Sequence, residues 1–332
     1  MKYEELVSNL KNKIYNPIYF LTGEQTYYID SLASIFENDV LSEDEKDFNL
    51  SILYGKDVST KDVIAQAKQY PMMATYQVLI VKEAQDLSKI EELESYIENP
   101  LSSTILVLCY KYKKLDGRTS FYKKLKSKAV IFESAKLYDN EIPNWIENQV
   151  AKMGYKITPK ATVMLSQHLG TDLQKIVNEL EKLTIVVPKS TAINEEHIEK
   201  HVGVSKEYNI FELLNAIGTR NVNKAYQIVF YFSENEKAMS LPGAIVNLYQ
   251  YFVKIMKVHF INDKSKGNLA SALGVNPYFV KDYTTAAANF PPKKISSIFL
   301  ILQEYDMKSK GVSNVNSSQG ELMKEMIYKI LH

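Results

Sequence analysis

The chain has 332 residues, 45% of them hydrophobic, enough to bury substantial cores in two or three domains. Lysine and arginine number 40 against 39 acidic residues, so a net charge of +1 supplies no global field toward nucleic acid or membrane. Arginine is confined to Arg118 and Arg220, which argues against arginine fingers and bidentate phosphate clamps. The single Cys109 can form no internal disulfide; at the end of an apolar run it reads as a buried, inert thiol in a reducing compartment. No apolar segment follows Met1 and no window approaches about 18 uninterrupted apolar residues, so the expectation is a soluble cytoplasmic chain without membrane contact.

Strand and helix signals alternate over residues 1–137, as in a parallel sheet flanked by helices. Ile18, Tyr19, Phe20 and Leu21 predict a short apolar strand ending at Thr22 and Gly23. A helix is predicted over 27–41, with Ile29, Leu32, Ile35 and Phe36 on one face. A second strand covers 49–54 and closes at Gly55. Ser59 is an N-cap for a helix through residue 69, which Pro71 ends. Residues 78–81 and 104–108 are continuous apolar runs of the kind found in strands buried on both faces. Between them Leu87, Ile90, Leu93, Tyr96 and Ile97 keep helical spacing as far as Asn99 and Pro100, and 129–132 is the last strand.

From about residue 138 the signals are helical only. Helices are predicted over 141–152, from the Thr158 cap and Pro159 to Gly170, from Asp172 to 183, and from Asn194 onward, forming a small middle domain over 138–208. The remainder, 209–332, carries apolar stripes over 210–217, 222–232, 241–261, 295–307 and 322–331. The stretch 241–261 is apolar around much of its circumference and points to a central helix or an assembly interface.

Gly23 after the first strand invites a nucleotide-binding reading, but the rest of a phosphate loop is missing. Where a second glycine, a lysine and a serine or threonine are needed stand Tyr28, Ile29 and Asp30: one too bulky, one uncharged and one repelling phosphate. The strand at 78–81 is followed by Lys82 and Glu83 rather than a metal-binding aspartate. His197 and His201 lie at i,i+4 near Glu195, Glu196 and Glu199, a zinc-compatible spacing without an evident third ligand, and a solvated helix face accounts for them better. Residues 268–280 have the rhythm of a helix-turn-helix, with Gly274 at the turn and Leu273 and Val280 packing the two helices. Tyr278, Phe279, Lys281 and Asp282 offer too little positive charge for a recognition helix, so a structural corner is the better reading. Residues 111–128 hold eight basic residues against one acid, Asp116, with Tyr112, Phe121 and Tyr122 interleaved. Lys113, Lys114, Lys123 and Lys124 are candidate contacts to a nucleic-acid backbone, against the commoner alternative of a solvated face.

Pro71, Met72 and Met73 stand just before the strand at 78–81. Neighbouring side chains on a helix diverge by about 100°, so one core face rarely buries both of an adjacent pair. A soft apolar pair at the tip of an element is a plug for a pocket on another protein; the alternative is that both fold back inward, and the local sequence leaves both open.

Six segments in order carry a family resemblance: Tyr19-Phe-Leu-Thr-Gly-Glu-Gln-Thr-Tyr-Tyr-Ile-Asp30, Pro71-Met-Met-Ala-Thr-Tyr-Gln-Val-Leu-Ile-Val-Lys-Glu-Ala84, Leu169-Gly-Thr-Asp-Leu-Gln-Lys-Ile-Val-Asn-Glu-Leu-Glu-Lys-Leu183, Val202-Gly-Val-Ser-Lys-Glu-Tyr-Asn-Ile-Phe-Glu-Leu213, Ala270-Ser-Ala-Leu-Gly-Val275 and Tyr305-Asp-Met-Lys-Ser-Lys-Gly311. Along nearly its whole length the chain resembles the delta subunit of the bacterial DNA polymerase III clamp loader. The resemblance implies an α/β plus all-α architecture: a degenerate AAA+ module with a P-loop-like parallel sheet (1–137), a helical lid (138–208) and a C-terminal helical collar (209–332). It implies a subunit without catalysis or cofactor, serving a holoenzyme that is itself a DNA-directed DNA polymerase at the nucleoid-associated replisome. Its implied partners are the sliding clamp (the beta subunit), the delta-prime and gamma/tau subunits, and primed DNA reached through the complex. The family's clamp-inserting hydrophobic pair falls on Met72 and Met73, beside Pro71. An active AAA+ nucleotide hydrolase and a helix-turn-helix DNA-binding regulator are the alternatives.

Overall fold

The computed structural model describes residues 1–112, 115–312 and 317–332, in two compact units, Met1–Leu137 and Tyr138–His332. In the first unit the order is α1 (Tyr3–Lys11), β1 (Ile18–Gly23), α2 (Thr26–Asp39), α3 (Glu43–Asn49), β2 (Leu50–Tyr54), α4 (Thr60–Ala67), β3 (Gln77–Lys82), α5 (Glu94–Glu98), β4 (Thr104–Lys111), α6 (Ser120–Lys128) and β5 (Val130–Ser134). The strands form one sheet in the order β2-β3-β4-β1-β5, parallel throughout. Phe20 pairs with Leu108 and Leu79 with Leu106.

Side chains of a strand point alternately to its two faces, so each apolar run supplies two cores. Ile18, Phe20, Leu79, Val81, Leu106 and Leu108 meet Val63 and Ala67 of α4 and Phe121 and Leu125 of α6 on one side. Tyr19, Leu21, Val78, Ile80, Ile105 and Val107 meet Leu6 and Leu10 of α1 and Ile29, Leu32 and Phe36 of α2 on the other. Cys109 lies in this second core, where burial pushes its thiol up to about 12.

The sequence reading needs correction at two places in this unit. The helical spacing from Leu87 to Ile97 does not build one helix. Two short 3-10 turns, Ala84–Asp86 and Ile90–Leu93, precede α5, because Glu83 (φ 52°) and Lys89 (φ 54°) take left-handed conformations that redirect the chain. The predicted helix to residue 69 stops at Ala67. Its Ser59 cap accepts from the Asp62 N–H. At the other end Thr104 Oγ1 (2.9 Å) and Tyr96 Oη (3.2 Å) donate to the Ala67 carbonyl, and the buried Gln77 amide donates to the carbonyls of Gln66 and Gln69. Orphan carbonyls at the helix end are thus satisfied from β3, β4 and α5.

The second unit is helical: α7 (Ile142–Lys152), α8 (Pro159–Leu169), α9 (Leu173–Val186), α10 (Glu195–Val202), α11 (Ile210–Gly218), α12 (Val222–Glu234), α13 (Leu241–Phe260), α14 (Lys266–Leu273), α15 (Val280–Asn289), α16 (Pro292–Ser309) and α17 (Gln319–Leu331). Thr158, Asp172 and Asn194 each accept a backbone N–H three residues on, capping α8, α9 and α10. A core of Ile210 to Leu331 residues centres on α13, whose Leu248, Phe252 and Ile255 are fully buried. Part of its apolar surface stays outside that core: Val246, Tyr249 and Phe260 are exposed. Among the described residues no helix is long and apolar enough to cross a membrane.

Candidate functional site

Two places in the first unit bear on function, one at each edge of the sheet. In parallel sheets small ligands bind outside the carboxyl ends of the strands. Here those ends are occupied by the protein itself. Gly23 takes φ +126°, and a Cβ on it would sit 2.2 Å from the Ser134 carbonyl oxygen, so β5 presses directly on the turn. The Gln25 N–H donates to Ser134 Oγ at 3.2 Å, and the Tyr112 N–H to the Gly23 carbonyl at 3.2 Å. Each residue standing at a phosphate-loop position has a different job. The Tyr28 ring lies 4.8 Å from that of Tyr3, Ile29 is fully buried in the core, and Asp30 is 2.8 Å from Lys111 Nζ.

Lys111, from the end of β4, also reaches Glu83 at 2.9 Å, and its backbone N–H donates to Gln85 Oε1 at 2.9 Å. Burial opposes the charge on Lys111, but hydrogen bonds to Asp30 and Glu83 outweigh it and raise the ammonium above its ordinary value. Burial likewise opposes ionisation of Glu83, and the hydrogen bonds from Lys111 and Gln85 together with the Lys111 charge still hold its carboxyl below the ordinary value. A lysine of the chain therefore supplies positive charge at an edge where a nucleotide site would hold phosphate and metal.

At the opposite, amino edge the chain between α4 and β3 carries Pro71, Met72 and Met73. Met72 is 60% exposed and Met73 fully so, with the neighbouring Tyr70 also in solvent. Of the two conformations open to the pair in sequence, the structure takes the outward one. Met73 adopts φ +52°, which a residue with a Cβ enters at a cost of about 1–2 kcal/mol. Met72 is fixed through its backbone: its N–H donates to Asn49 Oδ1 at 2.7 Å, and its carbonyl accepts from Asn49 Nδ2 at 3.0 Å. Asn49, at the end of α3, also donates to the Glu45 carbonyl at 3.0 Å and is only 4% exposed. Phe48, next to it in sequence, is 70% exposed. Sequence reading missed Phe48 and Asn49, since α3 is a short acidic helix without an apolar stripe; the signal was an apolar residue isolated among acids.

The basic segment is less open than its composition suggests. Lys113 and Lys114 lie outside the described residues. Lys123 is exposed on α6, whereas Lys124 is paired with Glu94 at 3.2 Å and with Glu98. His197 has a capping role, its Nδ1 accepting from the Asn194 N–H at 3.1 Å. The helix-turn-helix rhythm builds α14 and α15, joined through Gly274 at φ +62° and a short turn over Pro277–Phe279. The would-be recognition helix α15 buries Ala286 and Ala287 in the bundle core, which suits a structural corner.

A five-stranded parallel sheet flanked by helices, followed by a helical unit, defines an α/β plus all-α protein. A family model of the DNA polymerase III delta subunit matches residues 19–135, and a model of that subunit's C-terminal domain matches residues 207–324. The DNA polymerase III subunit delta of Bacillus subtilis (strain 168) is 29% identical over 316 residues, covering 91% of this chain and 90% of that one. The solved structure of a Bacillus subtilis DNA clamp loader delta protein superposes with a TM-score of 0.53 at 25% identity, covering 99% of each chain. The chain belongs to the family of DNA polymerase III delta subunits, and its role is that of a clamp-loader component in replication.

Proposed function

We propose that Met72 and Met73, framed by Pro71, enter an apolar pocket on the sliding clamp (the beta subunit) and that this chain thereby binds the clamp and opens it for loading onto primed DNA. The observation that carries the reading is a pair of apolar side chains held in solvent at a backbone cost, on a loop fixed by a buried amide. Burying both would supply roughly 3–6 kcal/mol before ordering costs. The chain does no bond chemistry; by binding the open clamp better than the closed one, it shifts the opening equilibrium by that difference.

On this reading residues 1–137 grip the clamp, 138–208 form the lid and 209–332 the collar that joins delta-prime and gamma/tau. Exposed Val246 and Tyr249 on α13 and Leu300 on α16 support a role in assembly. The occupied carboxyl edge supports a subunit that binds no nucleotide and leaves hydrolysis to its partners. Among the described residues Lys123 is the free candidate for a DNA phosphate, while Lys124 must first exchange its two carboxylates. Such a subunit works in the cytoplasm at the replisome. The test is calorimetry against the organism's own clamp, with an ATP titration alongside. Tight clamp binding lost on Met72→Ser with Met73→Ser supports the proposal; unchanged binding, or stoichiometric ATP uptake, overturns it.

A further inference from the structure

We infer that Asn49 is a positioning residue for the clamp contact, an inference that rests on the proposed role of Met72 and Met73. Its side-chain amide offers Met72 what a neighbouring strand would offer, an acceptor for the N–H at 2.7 Å and a donor for the carbonyl at 3.0 Å. The second amide hydrogen goes to the Glu45 carbonyl at 3.0 Å, so the same group is anchored on α3. Among the described residues, the hydrogen bonds that reach residues 70–75 are the two from Asn49. An asparagine only 4% exposed is stable there because both amide hydrogens and the amide oxygen are engaged.

The next residue, Met73, stands in the left-handed region at φ +52° with its side chain wholly in solvent. Left to itself a loop of this kind would relax toward conformations with negative φ and turn the methionines elsewhere. The amide clamp fixes the backbone immediately before the strained residue and keeps the pair in one arrangement before any partner arrives. That removes part of the ordering cost of association. Serine offers one polar atom where the amide offers two, and aspartate has no donor for the Met72 carbonyl.

The experiment compares wild type with Asn49→Ala and with the Met72→Ser, Met73→Ser double variant, by clamp affinity and by hydrogen exchange of the free protein. The expected result for Asn49→Ala is clamp binding weaker by about ten-fold, with faster exchange at the Met72 amide and unchanged protection of the sheet. Affinity within two-fold of wild type overturns the positioning role even where the double variant shows that the methionines bind. If the double variant keeps full affinity, the clamp reading itself falls and takes this inference with it. Should Asn49→Ala also lower sheet protection, Asn49→Ser is measured instead: weakened binding with normal sheet protection supports the role, and unchanged binding overturns it.

Discussion

At the carboxyl edge of the sheet Lys111, Asp30 and Glu83 turn their charges toward one another, whereas at the amino edge Asn49 turns its amide to the backbone and leaves Met72 and Met73 in solvent. A strand of five or six residues, at about 3.3 Å each, separates the two by some 17–20 Å. At one edge Lys111, Asp30 and Glu83 satisfy one another's charges within the chain. At the other, the Asn49 amide satisfies the Met72 backbone while apolar area stays exposed, which another surface can bury. On the proposed function, the difference is that of one scaffold exchanging a small-ligand site for a macromolecular one. Partly buried charges are stable only when paired, so they close a site; exposed thioethers tolerate water and await a partner.

The contrast is broken most severely by Met72→Asp with Met73→Asp, which places charge where a dry pocket must form. Clamp affinity measured by surface plasmon resonance should fall by at least about a hundred-fold while circular dichroism stays unchanged. At the other edge, Lys111→Met leaves two carboxylates facing a missing ammonium and should lower unfolding free energy by about 2 kcal/mol in urea titrations at pH 7. The pH dependence has a definite sign. Glu83 is depressed below its ordinary 4.5, so its contribution is complete above that value and disappears as pH falls through the lower folded value. Lys111 is raised above 10.5, so its share is complete below that value and is lost only in strong base. The penalty of Lys111→Met should therefore be full at neutral pH and shrink below about pH 4.

Met73→Gly separates stability from binding at the amino edge. Removing the Cβ from a left-handed residue should raise stability by up to about 1 kcal/mol, seen as a higher melting temperature, while clamp affinity drops. The smallest change expected is at Lys123→Ala: in the assembled complex on primed DNA, the salt slope of binding should fall by about one if this lysine meets a phosphate.

Much of the architecture was legible locally. The runs at 78–81 and 104–108 became central strands because β-branched residues without alternation suit burial on both faces. Thr158, Asp172 and Asn194 start helices where their side chains satisfy orphan N–H groups. The single helix read across Leu87 to Ile97 failed because periodicity reports a buried face, not the backbone angles of Glu83 and Lys89 that interrupt it. The breadth of apolar surface on α13 was visible, but which of its residues stay exposed was not.

By itself the sequence determined the five strands and most of the long helices, the presence of Tyr28, Ile29 and Asp30 where a phosphate loop would need other residues, and an adjacent methionine pair before a buried strand. Tertiary structure alone decided that the pair faces outward, that Asn49 holds it from 23 positions away, and that Lys111 reaches Asp30 and Glu83 across the strand ends. Local patterns record what each segment buries, whereas these pairings depend on parallel strands bringing distant ends of the chain to a common edge.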